Sequence, residues 1–128
     1  MAKEKKNKIL VVDDEPDNTS IFSMSLEDGG FEVDAFTDPL LALSMFKSGH
    51  KRYDYLVLDI KMPDMNGFEL YKEMRKIDPR VRVLFFTATE TYYEDLEQLF
   101  PTFNKKQFIL KPTRIGELVE KINTELGS

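Results

Sequence analysis

The sequence predicts a doubly wound α/β domain, a five-stranded parallel sheet with helices on both faces. Short apolar runs alternate with helical patterns from one end of the chain to the other, as repeated βα units do. Four of those runs are continuously apolar rather than alternating, which is the pattern of strands covered on both faces. Polar groups stand directly after the runs, where ligands of open parallel sheets bind.

Ile9-Leu10-Val11-Val12 is the first strand. A helix follows from about Pro16 to Asp28, with Gly29-Gly30 as its stop and Ile21, Phe22 and Leu26 as its packing residues. Phe31-Glu32-Val33-Asp34-Ala35-Phe36 alternates apolar with mostly acidic residues and is assigned to a sheet edge, where one side meets water. Asp38-Pro39 reads as an N-cap with proline at the first helical position; Ala42, Met45 and Phe46 line one face of that helix, and Gly49 ends it. Tyr55-Leu56-Val57-Leu58 is the third strand, followed by a helical stripe of Leu70, Met74 and Ile77. Val83-Leu84-Phe85-Phe86 is the fourth strand, and Tyr92, Tyr93, Leu96, Leu99 and Phe100 form the next stripe, stopped by Pro101. Phe108-Ile109-Leu110 is the fifth strand; Ile115, Leu118, Val119, Ile122 and Leu126 form the last stripe.

A length of 128 residues, 41% hydrophobic and 32% charged, suits one domain with one core. At this size roughly two-thirds of the extended surface can be buried, so neither disulfide nor structural metal is required. The absence of cysteine excludes disulfides, thiolate zinc sites, iron–sulfur clusters and a cysteine nucleophile. The expected division is a basic tail over residues 1–7, the domain over 8–126, and a terminal tail or expression scar at 127–128. The basic start lacks the apolar segment and cleavage site of a signal peptide, and no run approaches membrane-spanning length; the expected location is the cytoplasm. The net charge of −5 argues against a chain-wide nucleic-acid surface.

Polar groups end every strand expected to lie centrally. The first ends in Asp13-Asp14, the third in Asp59, the fourth in Thr87 and the fifth in Lys111-Pro112. Three clustered carboxylates repel one another and call for a cation. With oxygen ligands and no His or Cys nearby in sequence, Mg²⁺ is the expected ion, with Mn²⁺ as its substitute. Asp59 can attack phosphorus to form an acyl phosphate once metal and lysine offset the incoming charge. Lys111 supplies a single positive charge, for a phosphoryl oxygen or for Asp59 itself, and Thr87 a short hydroxyl donor.

With these pieces assembled, the chain resembles the response-regulator receiver domains of chemotaxis and two-component signalling over nearly its whole length. The resemblance rests on Val12-Asp13-Asp14, Asp59-Ile60-Lys61-Met62-Pro63-Asp64-Met65-Asn66-Gly67, Thr87-Ala88 and Lys111-Pro112, in the family's order and spacing. It implies the flavodoxin-like strand order 2-1-3-4-5. It also implies phosphate transfer from a histidine kinase or phosphotransfer protein to Asp59. Asp13, acting through water, Asp14, Asp59 and the main-chain carbonyl of Lys61 would hold Mg²⁺. Thr87 and Lys111 would take the family's hydroxyl and lysine roles, with a cis Lys111-Pro112 peptide. Phe108 falls at the aromatic switch position and would turn inward as Thr87 moves toward the phosphate. The implied chemistry is limited to gaining and losing this phosphate, and the implied state is a monomer or a weak phosphorylation-dependent homodimer. Downstream, the partner is a separate protein or a fused effector domain.

Each feature also has a plainer reading. Asp13-Asp14 alone could begin a turn and cap the following helix, and Met62-Pro63 and Asn66-Gly67 could be loop punctuation. Phe108 could be an edge-strand core residue buried in both states. Tyr92, Tyr93 and Phe100 read as packing residues, and His50, beside Lys51-Arg52, as solvent-exposed. Lys61 and Thr89, two residues beyond Asp59 and Thr87, stand at the family's variable positions and are expected to set phosphate lifetime. The segment from Phe100 to Gln107 is bulky and basic where many DNA-binding regulators carry small and then acidic residues, which argues against their dimer mode. Two other functions compete: a phosphorylation-independent interaction module, and a Mg²⁺-dependent phosphohydrolase. The second is disfavoured because Asp13-Asp14-Glu15-Pro16-Asp17 departs from the Asp-x-Asp-x-Thr pattern of haloacid-dehalogenase-type enzymes.

Overall fold

Strands that are apolar at every position must be covered on both sides, and the chain folds accordingly. The computed structural model describes residues 7–49, 53–87, 98, 108–110 and 115–126; for residues 86, 87, 108–110, 115–118 and 125 the description covers the backbone. Strands β1 (Lys8–Val12), β2 (Glu32–Phe36), β3 (Tyr55–Asp59), β4 (Arg82–Thr87) and β5 (Phe108–Leu110) form one sheet in the order β2-β1-β3-β4-β5. Every neighbouring pair is parallel. Strand β2 is at the edge, and its residues are exposed or half-buried, as its alternating sequence predicts. The order reverses between β1 and β3, and the crevice of a doubly wound sheet lies at such a reversal, beyond the carboxyl ends of the strands.

Alternation of side chains along each buried strand divides the core in two. Leu10, Val12, Leu56, Leu58, Val83 and Phe85 face α2 (Pro39–Gly49) and α3 (Gly67–Ile77), where they meet Ala42, Leu43, Phe46, Leu70, Tyr71 and Met74. Ile9, Val11, Tyr55, Val57 and Leu84 face the other way, against Phe22 and Leu26 of α1 (Pro16–Asp28) and Ile122 of α4 (Ile115–Glu125). Phe85 is the centre of an aromatic contact. Phe68 and Tyr71 both approach it edge-on, at 5.1 and 5.6 Å between ring centroids.

Helix ends follow the local chemistry. Pro16 begins α1, and Gly29 and Gly30 end it, Gly30 at φ 95°, a conformation that glycine adopts without strain. The Asp38 carboxylate accepts from Leu40 N–H at 2.9 Å at the start of α2. At α3, Asn66 and Glu69 form a reciprocal capping box: the Asn66 side chain accepts from Glu69 N–H at 2.9 Å, and the Glu69 carboxylate from Asn66 N–H at 3.0 Å. At the β2 edge of the sheet, Tyr53 donates its hydroxyl to Asp34 at 2.6 Å and Lys8 pairs with the same carboxylate at 3.4 Å, tying β2 to β1 and to the segment before β3.

Two packing expectations are corrected. Ile21 does not join Phe22 and Leu26 in the core; it is half exposed, and Thr19 completes the buried stripe. Met45 likewise points outward, 38% exposed, and Leu43 takes the inner position beside Ala42 and Phe46. The reason is angular: consecutive helical residues stand about 100° apart, so the face that meets the sheet takes in only part of a run of apolar side chains. The stripe of Tyr92, Tyr93, Leu96, Leu99 and Phe100, with Pro101, lies outside the described residues, as do His50, Lys51 and Arg52. Gln98 is described and is helical. No described helix is long and apolar enough to cross a membrane.

Candidate functional site

Strand register builds the site. Val12 pairs with Leu58, so the next residues, Asp13 and Asp59, emerge side by side where the strand order reverses. Asp59 in turn pairs with Phe86, and Thr87 with Leu110. The backbone ends of β1, β3, β4 and β5 therefore lie abreast, each at the point where the sequence turns polar.

Asp13, Asp14 and Asp59 converge, each with a carboxylate oxygen within 4.8 Å of the others. Among the described residues this is the one group of three or more His, Cys, Asp or Glu side chains able to hold a metal ion. Asp13 is 1% exposed and Asp59 6%, whereas Asp14 is half-buried and opens toward solvent. Two unit charges 4.8 Å apart repel by about 3.5 kcal/mol at an effective dielectric of 20. Oxygen-only donors, high negative charge and one partly open side together fit a hard divalent ion such as Mg²⁺.

The walls of the site are held by backbone contacts. Asp13 N–H donates to the Phe36 carbonyl at 3.1 Å. The Asp13 carboxylate accepts from Glu15 N–H at 3.0 Å and from the Asn18 side-chain amide at 3.1 Å. On the other side, the loop after Asp59 buries Ile60 and Met62 and leaves Lys61 exposed. It bends at Asp64, whose φ of 68° is left-handed, and closes with Met65 N–H on the Pro63 carbonyl at 2.7 Å. Gly67 N–H donates to the Ile60 carbonyl at 2.8 Å, and a Cβ at Gly67 would overlap the Asp59 carbonyl oxygen. Glycine is thus required where α3 meets the backbone of the expected phosphoacceptor.

The structure brings together Asp13, Asp14 and Asp59 and sets Lys61 in the adjoining loop. The backbones of Thr87 and Phe108 are at the expected strand positions, while their side chains, and all of Thr89, Lys111 and Pro112, lie outside what is described. Asn18 was not expected at the site. Its sequence signal is an amide side chain in the first helical turn, five residues after Asp13, which is equally common in helix starts without function.

A family model described as the response regulator receiver domain matches residues 9–123. The chain is 34% identical over 116 residues to the transcriptional regulatory protein TrcR of Mycobacterium tuberculosis, covering 90% of this chain and 43% of that protein. It is 36% identical over 121 residues to the hybrid signal transduction histidine kinase L of Dictyostelium discoideum, covering 90% of this chain and 7% of the kinase. The chain thus spans less than half the length of either relative. The crystal structure of the response regulator protein TrrA from Thermotoga maritima, in complex with Mg²⁺ and BeF, superposes with a TM-score of 0.78 at 32% identity, covering 92% of this chain and 97% of that one.

Proposed function

The chain belongs to the response-regulator receiver family, and on that premise we propose that it is a phosphorylation-switched signalling domain whose phosphate acceptor is Asp59. The observation that carries this reading is the convergence of Asp13, Asp14 and Asp59 at the strand ends, with Asp59 on a central strand. Asp13, Asp14, Asp59 and the Lys61 main-chain carbonyl are the residues that would hold Mg²⁺, the ion of the TrrA complex. Bound Mg²⁺ supplies positive charge against the phosphoryl oxygens.

A carboxylate oxygen of Asp59 attacks the phosphorus of a donor phosphohistidine, the phosphorus–nitrogen bond breaks, and the electron pair leaves with the imidazole. Burial of Asp59 at 6% exposure keeps bulk water from the resulting acyl phosphate. Lys111 offsets the added charge of the phosphoryl group, and the Thr87 hydroxyl donates to one of its oxygens. Movement of Thr87 is transmitted to Phe108 through the neighbouring strand, since β4 and β5 are paired in register. The face around β5 and α4 then changes its partner preference. Exposed Lys61, with Thr89, sets the access of the hydrolytic water and hence phosphate lifetime. The donor is a histidine kinase or phosphotransfer protein in the cytoplasm, and the response passes to a separate protein or a linked effector domain. To carry the switch from 1:99 to 99:1, phosphorylation must favour the active form by about 5.5 kcal/mol.

Incubation with acetyl phosphate and Mg²⁺, followed by intact-mass measurement, tests the assignment. The expected result is one added phosphoryl group in the wild type and none in Asp59→Asn. Uptake that persists in Asp59→Asn refutes Asp59 as acceptor, and no uptake with any phosphodonor favours an interaction module independent of phosphorylation.

A further inference from the structure

Both oxygens of the Asp13 carboxylate are engaged from the start of α1 and its N-cap: Oδ1 accepts from Glu15 N–H at 3.0 Å and Oδ2 from Asn18 Nδ2 at 3.1 Å. The first donor is main chain and is available with almost any residue at position 15. The second is a side-chain choice. Asn18 lies in the first turn of a helix whose N-cap residue, Glu15, makes no side-chain cap, and its amide reaches back across the helix start to Asp13. A carboxylate offers about four lone-pair directions, so accepting these two donors does not preclude a cation. Two donors on two different oxygens restrict the plane of the group more than the main-chain donor does by itself.

We infer that Asn18 is a positioning residue of the metal site, orienting the Asp13 carboxylate so that the cluster favours a small octahedral divalent cation. This rests on the metal reading of Asp13, Asp14 and Asp59 given above. Asp13 is 1% exposed and sits within 4.8 Å of two other carboxylates, which repel it. The Asn18 amide holds one Asp13 oxygen and places a partial positive charge against the cluster. Mg²⁺ demands near-ideal octahedral geometry, whereas Ca²⁺ accepts flexible coordination, so loss of the orienting donor penalises Mg²⁺ more than Ca²⁺.

The test is titration of the 128-residue chain with MgCl₂ or CaCl₂ alone, followed by NMR chemical shifts, in wild type, Asn18→Ala, Asp13→Asn and the double variant. Asn18→Ala is expected to bind Mg²⁺ about 10-fold more weakly, with a smaller loss for Ca²⁺. In the Asp13→Asn background the same change is expected to add nothing further. Asn18→Leu, of similar shape and without the donor, should behave as Asn18→Ala does, and the metal-free melting midpoint of each variant separates a folding defect from a binding one. Unchanged Mg²⁺ affinity, an equal loss for both ions, or a full additional loss in the Asp13→Asn background overturns the role of Asn18 alone. A wild type that takes up no Mg²⁺ overturns the metal reading and this one with it.

Discussion

The Asp13 carboxylate accepts from Glu15 N–H as a turn-forming aspartate does, and it also stands in the three-carboxylate cluster, so the turn reading does not exclude the proposed metal role. Gly67 is the residue with least latitude, because a methyl there would overlap the Asp59 carbonyl and force β3 and α3 apart. Gly67→Ala is expected to destabilise the fold by about 1–3 kcal/mol, in the range of overpacked sites, and to slow phosphate uptake from acetyl phosphate. Denaturant unfolding and the mass assay read the two effects separately. Wild-type stability with wild-type uptake would show that the contact relaxes at no cost.

The elements differ in how their faces are chosen. In α3 a capping box, a clean stripe and two aromatic contacts agree, and Leu70 and Met74 are fully buried as their spacing predicts. In α2 the local pattern is ambiguous, because Leu40, Leu41, Leu43, Met45 and Phe46 are all apolar. Docking on the sheet selects Ala42, Leu43 and Phe46 and leaves Leu40, Leu41 and Met45 outside. Phe46, which also stacks on Tyr53 at 6.1 Å, is therefore expected to lose about 3–5 kcal/mol on truncation to alanine. Met45→Ala is expected to stay within about 0.5 kcal/mol, as surface substitutions do. Urea midpoints of the two variants check this, and comparable losses would mean that α2 is rotated from its assigned face.

Across the whole molecule, the two cores are joined through strands whose alternate residues serve opposite faces, so the sheet cannot shift register without emptying both. Tyr71 links α3 to Phe85 at the centre of one core, and burial raises its phenol above the usual tyrosine range, with nearby Arg75 acting weakly in the other direction. A pKa raised in the folded state means that unfolding is favoured once the phenol ionises in the unfolded chain. The stabilising contribution is complete below pH about 10 and is lost as pH rises through the folded value. Tyr71→Phe is expected to shift the alkaline unfolding midpoint upward, measured by circular dichroism between pH about 9 and 12. An unchanged midpoint would place the alkaline transition on other groups.

The residues of the site were legible in the sequence because each follows an apolar strand, and strand ends are marked by local composition. Asp13, Asp14 and Asp59 needed no long-range information to be picked out, and the edge position of β2 was written in its alternation. Their proximity was decided by register, in which Val12 pairs with Leu58, and register is a property of two segments more than forty residues apart. The same is true of Asn18 at Asp13 and of Gly67 against Asp59: each depends on where a helix starts relative to a strand end, and no periodicity within either segment reports that distance. Which of two adjacent apolar residues turns inward, as at Ile21 and Phe22 or Met45 and Phe46, was likewise left to docking, since hydrophobic pattern defines a broad stripe and only the opposing sheet selects its centre.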